Sequence, residues 1–152
     1  MRKQIIILTI SCILLSSQIY GQKISQVTFI NEIADKEQVT YGEGIQFFLM
    51  VIEKKIGSFQ ENVNFLNKEG LTKGITLTKD SPLRRGTLSL ILARHLKLSD
   101  SLLYNIFKSE RYAYRACAAK EIMEYDGSEW EILSGGELVE IMTKVSEMLG
   151  GN

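Results

Sequence analysis

The chain has 152 residues, 45% of them hydrophobic, and its 18 basic residues balance its 18 acidic ones. That apolar share excludes a disordered chain, and the even charge leaves no basic stripe for nucleic acid, which is gripped through many phosphate contacts. One histidine and two cysteines are too few for a zinc-framed domain.

In chain order, Arg2 and Lys3 precede an apolar run from Ile5 to Leu15, and small and polar residues follow, Ser16-Ser17-Gln18-Ile19-Tyr20-Gly21-Gln22. This is the basic, apolar, small-residue order of a secretory signal peptide. The run is about half of the ~20 residues that a bilayer-spanning helix needs. The expected cut follows Gly21, giving a signal peptide over 1–21 and a single domain over 22–152. An uncleaved anchor or a buried N-terminal helix are the competing readings. Thr9-Ile10-Ser11-Cys12 loosely resembles a lipoprotein cleavage box, but the apolar run continues past Cys12, so no lipid anchor is expected there. The mature chain of about 130 residues carries 16 basic against 18 acidic residues, a net of about −2. Cys117 is then its only cysteine, which rules out an internal disulfide. The expected location is the periplasm or cell envelope, with no transmembrane helix after cleavage.

The segment Val27 to Ala34 fits a short strand or a helix equally. Beyond it, apolar residues recur mostly at helical spacing, predicting a mainly α fold of about five helices. Thr40-Tyr41-Gly42-Glu43 is a capping box that opens a helix to about Lys55, and Ser58-Phe59-Gln60-Glu61 opens a second that stops at Gly70. Gly74-Ile75-Thr76-Leu77-Thr78 alternates enough for a brief extended segment. Ser81-Pro82 predicts the start of a third helix, with proline in its first turn and Leu88, Ile91, Leu92 and Leu96 on one face. Ser109-Glu110 opens a fourth, through Met123, and Asp126-Gly127-Ser128 reads as a turn. Ser134-Gly135-Gly136-Glu137 is a third capping box, with Leu133 and Leu138 placed as its hydrophobic staple.

The first, third and fifth predicted helices read as copies. With Thr40, Arg84 and Ser134 as equivalent starts, glycine follows two positions later in each: Gly42, Gly86 and Gly136. Apolar pairs follow at Phe47-Phe48, Ile91-Leu92 and Ile141-Met142, and Val51, His95 and Val145 stand eleven positions on. Asn67-Lys68-Glu69-Gly70-Leu71 aligns with Ala118-Ala119-Lys120-Glu121-Ile122 in the intervening helices. Starts 44 and 50 residues apart fit a repeat architecture, in which stacked helix pairs bury faces that none can bury alone. A helical glycine costs about 0.5–1 kcal/mol against alanine, so its recurrence suggests a packing need.

This pattern resembles S-layer homology (SLH) units, whose main helix begins at a Thr-Arg-Ala-Glu-like motif and whose second helix ends in Gly-Ile or Gly-Leu. The three starts and the ends Glu69-Gly70-Leu71 and Glu121-Ile122-Met123 carry the likeness, over about two and a half units from Val39 to Leu149. Asp80-Ser81-Pro82-Leu83-Arg84-Arg85-Gly86 is the stretch most like the family's. The resemblance implies a helical, non-catalytic envelope module that binds cell-wall polysaccharide, with the motif arginine helping to hold an anionic glycan. Only Arg85 matches that arginine; Tyr41 and Gly135 hold the equivalent places.

Three residues are candidate ligand contacts: Arg84, Arg85 and Trp130. Arg84 and Arg85 lie in the first turns of the third predicted helix, where backbone N–H groups favour anions and a guanidinium fork adds bidentate reach. Trp130, in Asp126-Gly127-Ser128-Glu129-Trp130-Glu131, could stack on a sugar ring or pin the loop to the core. Tyr104, Tyr112, Tyr114 and Tyr125 mark either a core with polar rims or a contact surface. His95 reads as a packed or edge residue, and Cys117, among small apolar neighbours, as a buried thiol. No nucleophile–base set, P-loop or dinucleotide glycine pattern is present, so the expectation is a non-enzyme without cofactor or metal. The partner is a wall glycan or, with the glycan site lost, an envelope protein in a structural assembly. The incomplete third unit leaves homo-oligomerisation open.

Overall fold

The computed structural model describes residues 26–150. The signal peptide expected over 1–21 and the Cys12 question lie outside them. The described chain is mainly helical, with seven helices and no strand. They are α1 (26–34), α2 (Tyr41–Val51), α3 (Phe59–Lys68), α4 (Arg85–His95), α5 (Leu102–Phe107), α6 (Glu110–Ala119) and α7 (Gly135–Gly150). Residues 26–32 fall outside the compact unit that begins at Ile33 and carries α2 to α7.

Local sequence accounts for many of the helix ends. Thr40 and Ser58 each accept from the backbone N–H of Glu43 and Glu61, whose carboxylates accept from the cap in return. At α7 the Glu137 carboxylate accepts from Ser134 N–H at 2.8 Å, while Ser134 Oγ accepts from Glu137 N–H at 3.3 Å. The staple residues Leu133 and Leu138 are both fully buried. At their C-termini, α2, α3, α4 and α6 close alike. A residue at positive φ follows each cap (Glu53, Gly70, Lys97, Glu121), and the next residue donates its N–H back to the helix: Lys54 to Leu49, Leu71 to Leu66, Leu98 to Ala93 and Ile122 to Cys117.

Three predicted boundaries move. Helix α4 begins at Arg85 rather than in the Ser81-Pro82 turn, because Pro82 sits in an isolated bridge with Thr40 and the chain stays extended through Arg84. Arg84, which takes the cap position, makes no side-chain cap bond. Helix α2 stops at Val51 and α6 at Ala119, each followed by a tight turn. Residues 26–34 are helical, 75–78 form no strand, and α5 was not anticipated.

The compact unit is tied together at its centre by backbone. Val39 N–H donates to Leu133 O at 3.0 Å, Leu133 N–H to Leu83 O at 3.0 Å, and Leu83 N–H to Val39 O at 2.8 Å. These three bonds form a closed ring, and all three residues are buried. From the ring the main helices α2, α4 and α7 set out, α4 buried on nearly every side among its neighbours and packed chiefly on α6. Phe48, Leu49, Leu66, Leu88, Ile91, Leu92, Ile122 and Met142 are among the fully buried side chains.

Candidate functional site

The loop 124–132 passes over the start of α4 and decides what that start can do. Arg85 N–H donates to Glu131 O at 2.8 Å and Gly86 N–H to Glu129 O at 2.9 Å. The first donors of α4, expected to face an anion, are therefore filled by loop carbonyls. A Cβ on Gly86 would stand 2.8 Å from Glu129 O, so glycine is what lets the loop approach this closely.

The two adjacent arginines go opposite ways. The side chain of Arg85 turns inward and is only 6% exposed as a residue. Its guanidinium pairs with Glu131 at 3.0 Å and with Glu137 through a close contact, and it abuts Gly127. Burial works against its charge, but Tyr114, Glu137 and Glu131 together hold its pKa above the ordinary value. Its Nε is buried without a hydrogen-bond partner. Arg85 thus holds α4, the loop and α7 together and is not presented to solvent, contrary to the exposed role expected of it.

Arg84 lies half-exposed, with its guanidinium 5.3 Å from the Trp130 ring centroid. A polar chain holds its guanidinium. Its hydrogen bond with the Tyr41 hydroxyl is the main cause of its raised pKa, Tyr41 bonds Thr87 at 3.1 Å, and Thr87 donates to Glu110 at 2.7 Å. Glu110 also pairs with Arg84 at 3.6 Å. Trp130 is 66% exposed and does not pin the loop to the core.

Trp130 borders a cleft of about 470 Å³ between α6 and the loop. Arg111 and Arg115 line its α6 side, four residues apart and both exposed, while Tyr125 and Trp130 line the other. Ser128 and Glu129 contribute hydroxyl and carboxylate groups. Tyr114, at the back, is buried and donates its hydroxyl to Glu124 O at 2.6 Å. Two guanidinium groups, two aromatic faces and a carboxylate can hold a hydroxylated, partly anionic ligand, the arginines forking to acid oxygens and the rings stacking on apolar sugar faces. Sequence reading found Trp130 and missed Arg111 and Arg115. Their i, i+4 spacing in Arg111-Tyr112-Ala113-Tyr114-Arg115 was the available signal.

The remaining candidates sit apart from this cleft. Cys117 is fully buried, and burial pushes its thiol up to about 12, where it is no nucleophile. His95 meets Phe48 edge-on at 5.2 Å, and burial followed by nearby Lys54 holds its pKa below 6.5. Tyr104 is buried and Tyr125 is exposed. Among the described residues, no helix is long and apolar enough to cross a membrane. Compared with protein-family models, with curated proteins and with solved structures, the chain matches none of them.

Proposed function

We propose that this chain is a non-catalytic, exported module of the cell envelope, built of SLH-like helical repeats, that binds cell-wall polysaccharide. The observation that carries the binding is the cleft in which Arg111 and Arg115 face Tyr125 and Trp130. Arg84 belongs to it through its stack on Trp130. Arg85 contributes by holding the loop that bears Trp130. The ring of Val39, Leu83 and Leu133 supports the repeat reading, since each residue directly precedes one of the starts Thr40, Arg84 and Ser134. The matched ends of α2 and α4, at Glu53 and Lys97, support it as well, each lying thirteen positions past its start.

The second reading is a structural or protein-binding subunit of an envelope assembly. The burial of Arg85 favours it, because the one arginine that fits the SLH start motif is consumed by internal carboxylates.

Co-sedimentation with purified wall sacculi separates the two. Wild type should sediment. Trp130→Ala and Arg111→Ala/Arg115→Ala should lose at least about tenfold in affinity, the size of one or two lost charge-assisted or stacking contacts, with unchanged circular dichroism. A folded wild type that stays in the supernatant defeats the glycan reading and leaves the assembly subunit.

A further inference from the structure

The turns that follow α3, α4 and α5 meet around a second cleft, of about 770 Å³. That volume lies within the range of small-molecule sites. Gly70 and Gly74 bend the first turn at positive φ, and Lys97 and Lys108 bend the other two. Leu71, Ala93, Leu98 and Tyr104 form the buried side of the cleft.

The charge of its walls is one-sided. Four cations line it, Lys73, Arg94, Lys97 and Lys108, against one acid, Glu69. Among the described residues none of the four is ion-paired with a carboxylate, although Lys36, Lys120 and Lys144 elsewhere are. The nearby carboxylate of Asp100 is taken up by Lys120. A chain whose 18 basic and 18 acidic residues cancel has thus left a concentrated positive field in one concave place.

Arg94 is also held in position. Its Nη1 donates to Leu71 O at 2.8 Å and to Lys73 O at 3.0 Å. A guanidinium carries five N–H donors, so these two carbonyls orient it and leave donors to offer. The three lysines are exposed and stand around this fixed group on flexible stems.

We propose that this cleft binds a small polyanion with closely spaced acid groups, of the oligophosphate kind. Arg94 takes one acid group at a fixed place, and Lys73, Lys97 and Lys108 close on the others as mobile point charges. A singly charged anion engages only part of this set, so the number of charges selects the ligand. The cleft shares no lining residue with the α6 cleft and does not rest on the glycan reading.

The test is calorimetric titration of the full chain with tripolyphosphate, beside inorganic phosphate, at constant ionic strength. Tripolyphosphate should bind saturably, one per chain, and at least about tenfold more tightly than phosphate, the size of one further charge-assisted contact. Lys97→Gln/Lys108→Gln should weaken it by at least about tenfold with unchanged circular dichroism, since both side chains are exposed. Lys55→Gln/Lys79→Gln removes equal charge outside the cleft and should leave binding as it was. Absence of saturable binding overturns the proposal, and so does an equal loss in the two lysine pairs, which would make net charge the whole cause. Loss in Arg111→Ala/Arg115→Ala with full binding by Lys97→Gln/Lys108→Gln also overturns it, since the phosphates would then sit in the α6 cleft.

Discussion

The starts of α2 and α7 carry side-chain caps made by their own residues, while their first backbone N–H groups go, as in α4, to distant carbonyls: Tyr41 to Ser81, Gly42 to Lys79 and Gly135 to Lys36. Glu43 and Glu137 each cap the residue three before them with one carboxylate oxygen and hold a cation with the other, Lys36 and Arg85 respectively. The start of α4 has no such cap. Its first N–H groups go to carbonyls of residues 129 and 131, and its arginines to Glu110, Glu131 and Glu137. All three starts therefore lean on distant backbone, but two add a cap written within four consecutive residues and the third has none. Local fastening survives most changes elsewhere in a chain, whereas the long-range kind fails as a unit.

Substitution at Arg85 probes that contrast most strongly. Arg85→Ala removes a buried guanidinium whose carboxylate partners, Glu131 and Glu137, are part-exposed and can rehydrate, so it should cost about 2 kcal/mol in urea unfolding, mostly lost packing and charge-assisted hydrogen bonds. A cost under about 1 kcal/mol would mean that the loop carbonyls alone fasten α4. The glycine pair of α7 comes next. A Cβ on Gly135 would run into the backbone carbonyl of Ile33, whereas one on Gly136 meets nothing within 4 Å. Gly135→Ala should then cost about 2 kcal/mol by overpacking, and Gly136→Ala should gain about 0.5–1 kcal/mol from helix propensity. Equal shifts in melting temperature would refute the distinction. The glycine contrast corrects the repeat alignment at one point, since the packing glycine of α7 is Gly135, not the Gly136 aligned with Gly42 and Gly86.

Acid gives the smallest and most diagnostic effect. Burial tends to raise the pKa of Glu137, but its bonds from Ser134 and the charge of Arg85 prevail and hold it below 4.5. Glu43 is lowered likewise, with Lys36 and Thr40 outweighing burial. A carboxylate held low stabilises the fold fully above its unfolded value and loses that contribution as pH falls through its folded one. Stability should therefore drop below pH 4.5. Arg85→Ala lets Glu137 return toward its ordinary value, so the drop should be shallower in that variant. An unchanged slope would show that Ser134, not Arg85, sets the acidity of Glu137.

What sequence could disclose follows the same division. The three capping boxes and the helices behind them were legible because cap and partner lie three residues apart. The α4 start was misplaced because Pro82 is held by Thr40, a contact that no local window contains. Helix α5 was missed because six residues make under two turns and its apolar side chains face outward, against the usual pattern. Trp130 stood out by its rarity, and its cleft did not, since Arg111 and Arg115 reach it from another element. The inward turn of Arg85 was invisible for the same reason, with Glu131 and Glu137 far along the chain.

The ring of Val39, Leu83 and Leu133 also sets a timetable. A chain emerging stepwise from a ribosome or a translocation channel can join Val39 to Leu83 early, but both other bonds need Leu133. Until that residue is out, the starts of all three main helices hang from an open clasp, and apolar faces wait uncovered. Chains stopped short of residue 133 should accordingly be degraded rather than accumulate as smaller folded pieces. The closing of one small circle of backbone then commits the whole unit at once.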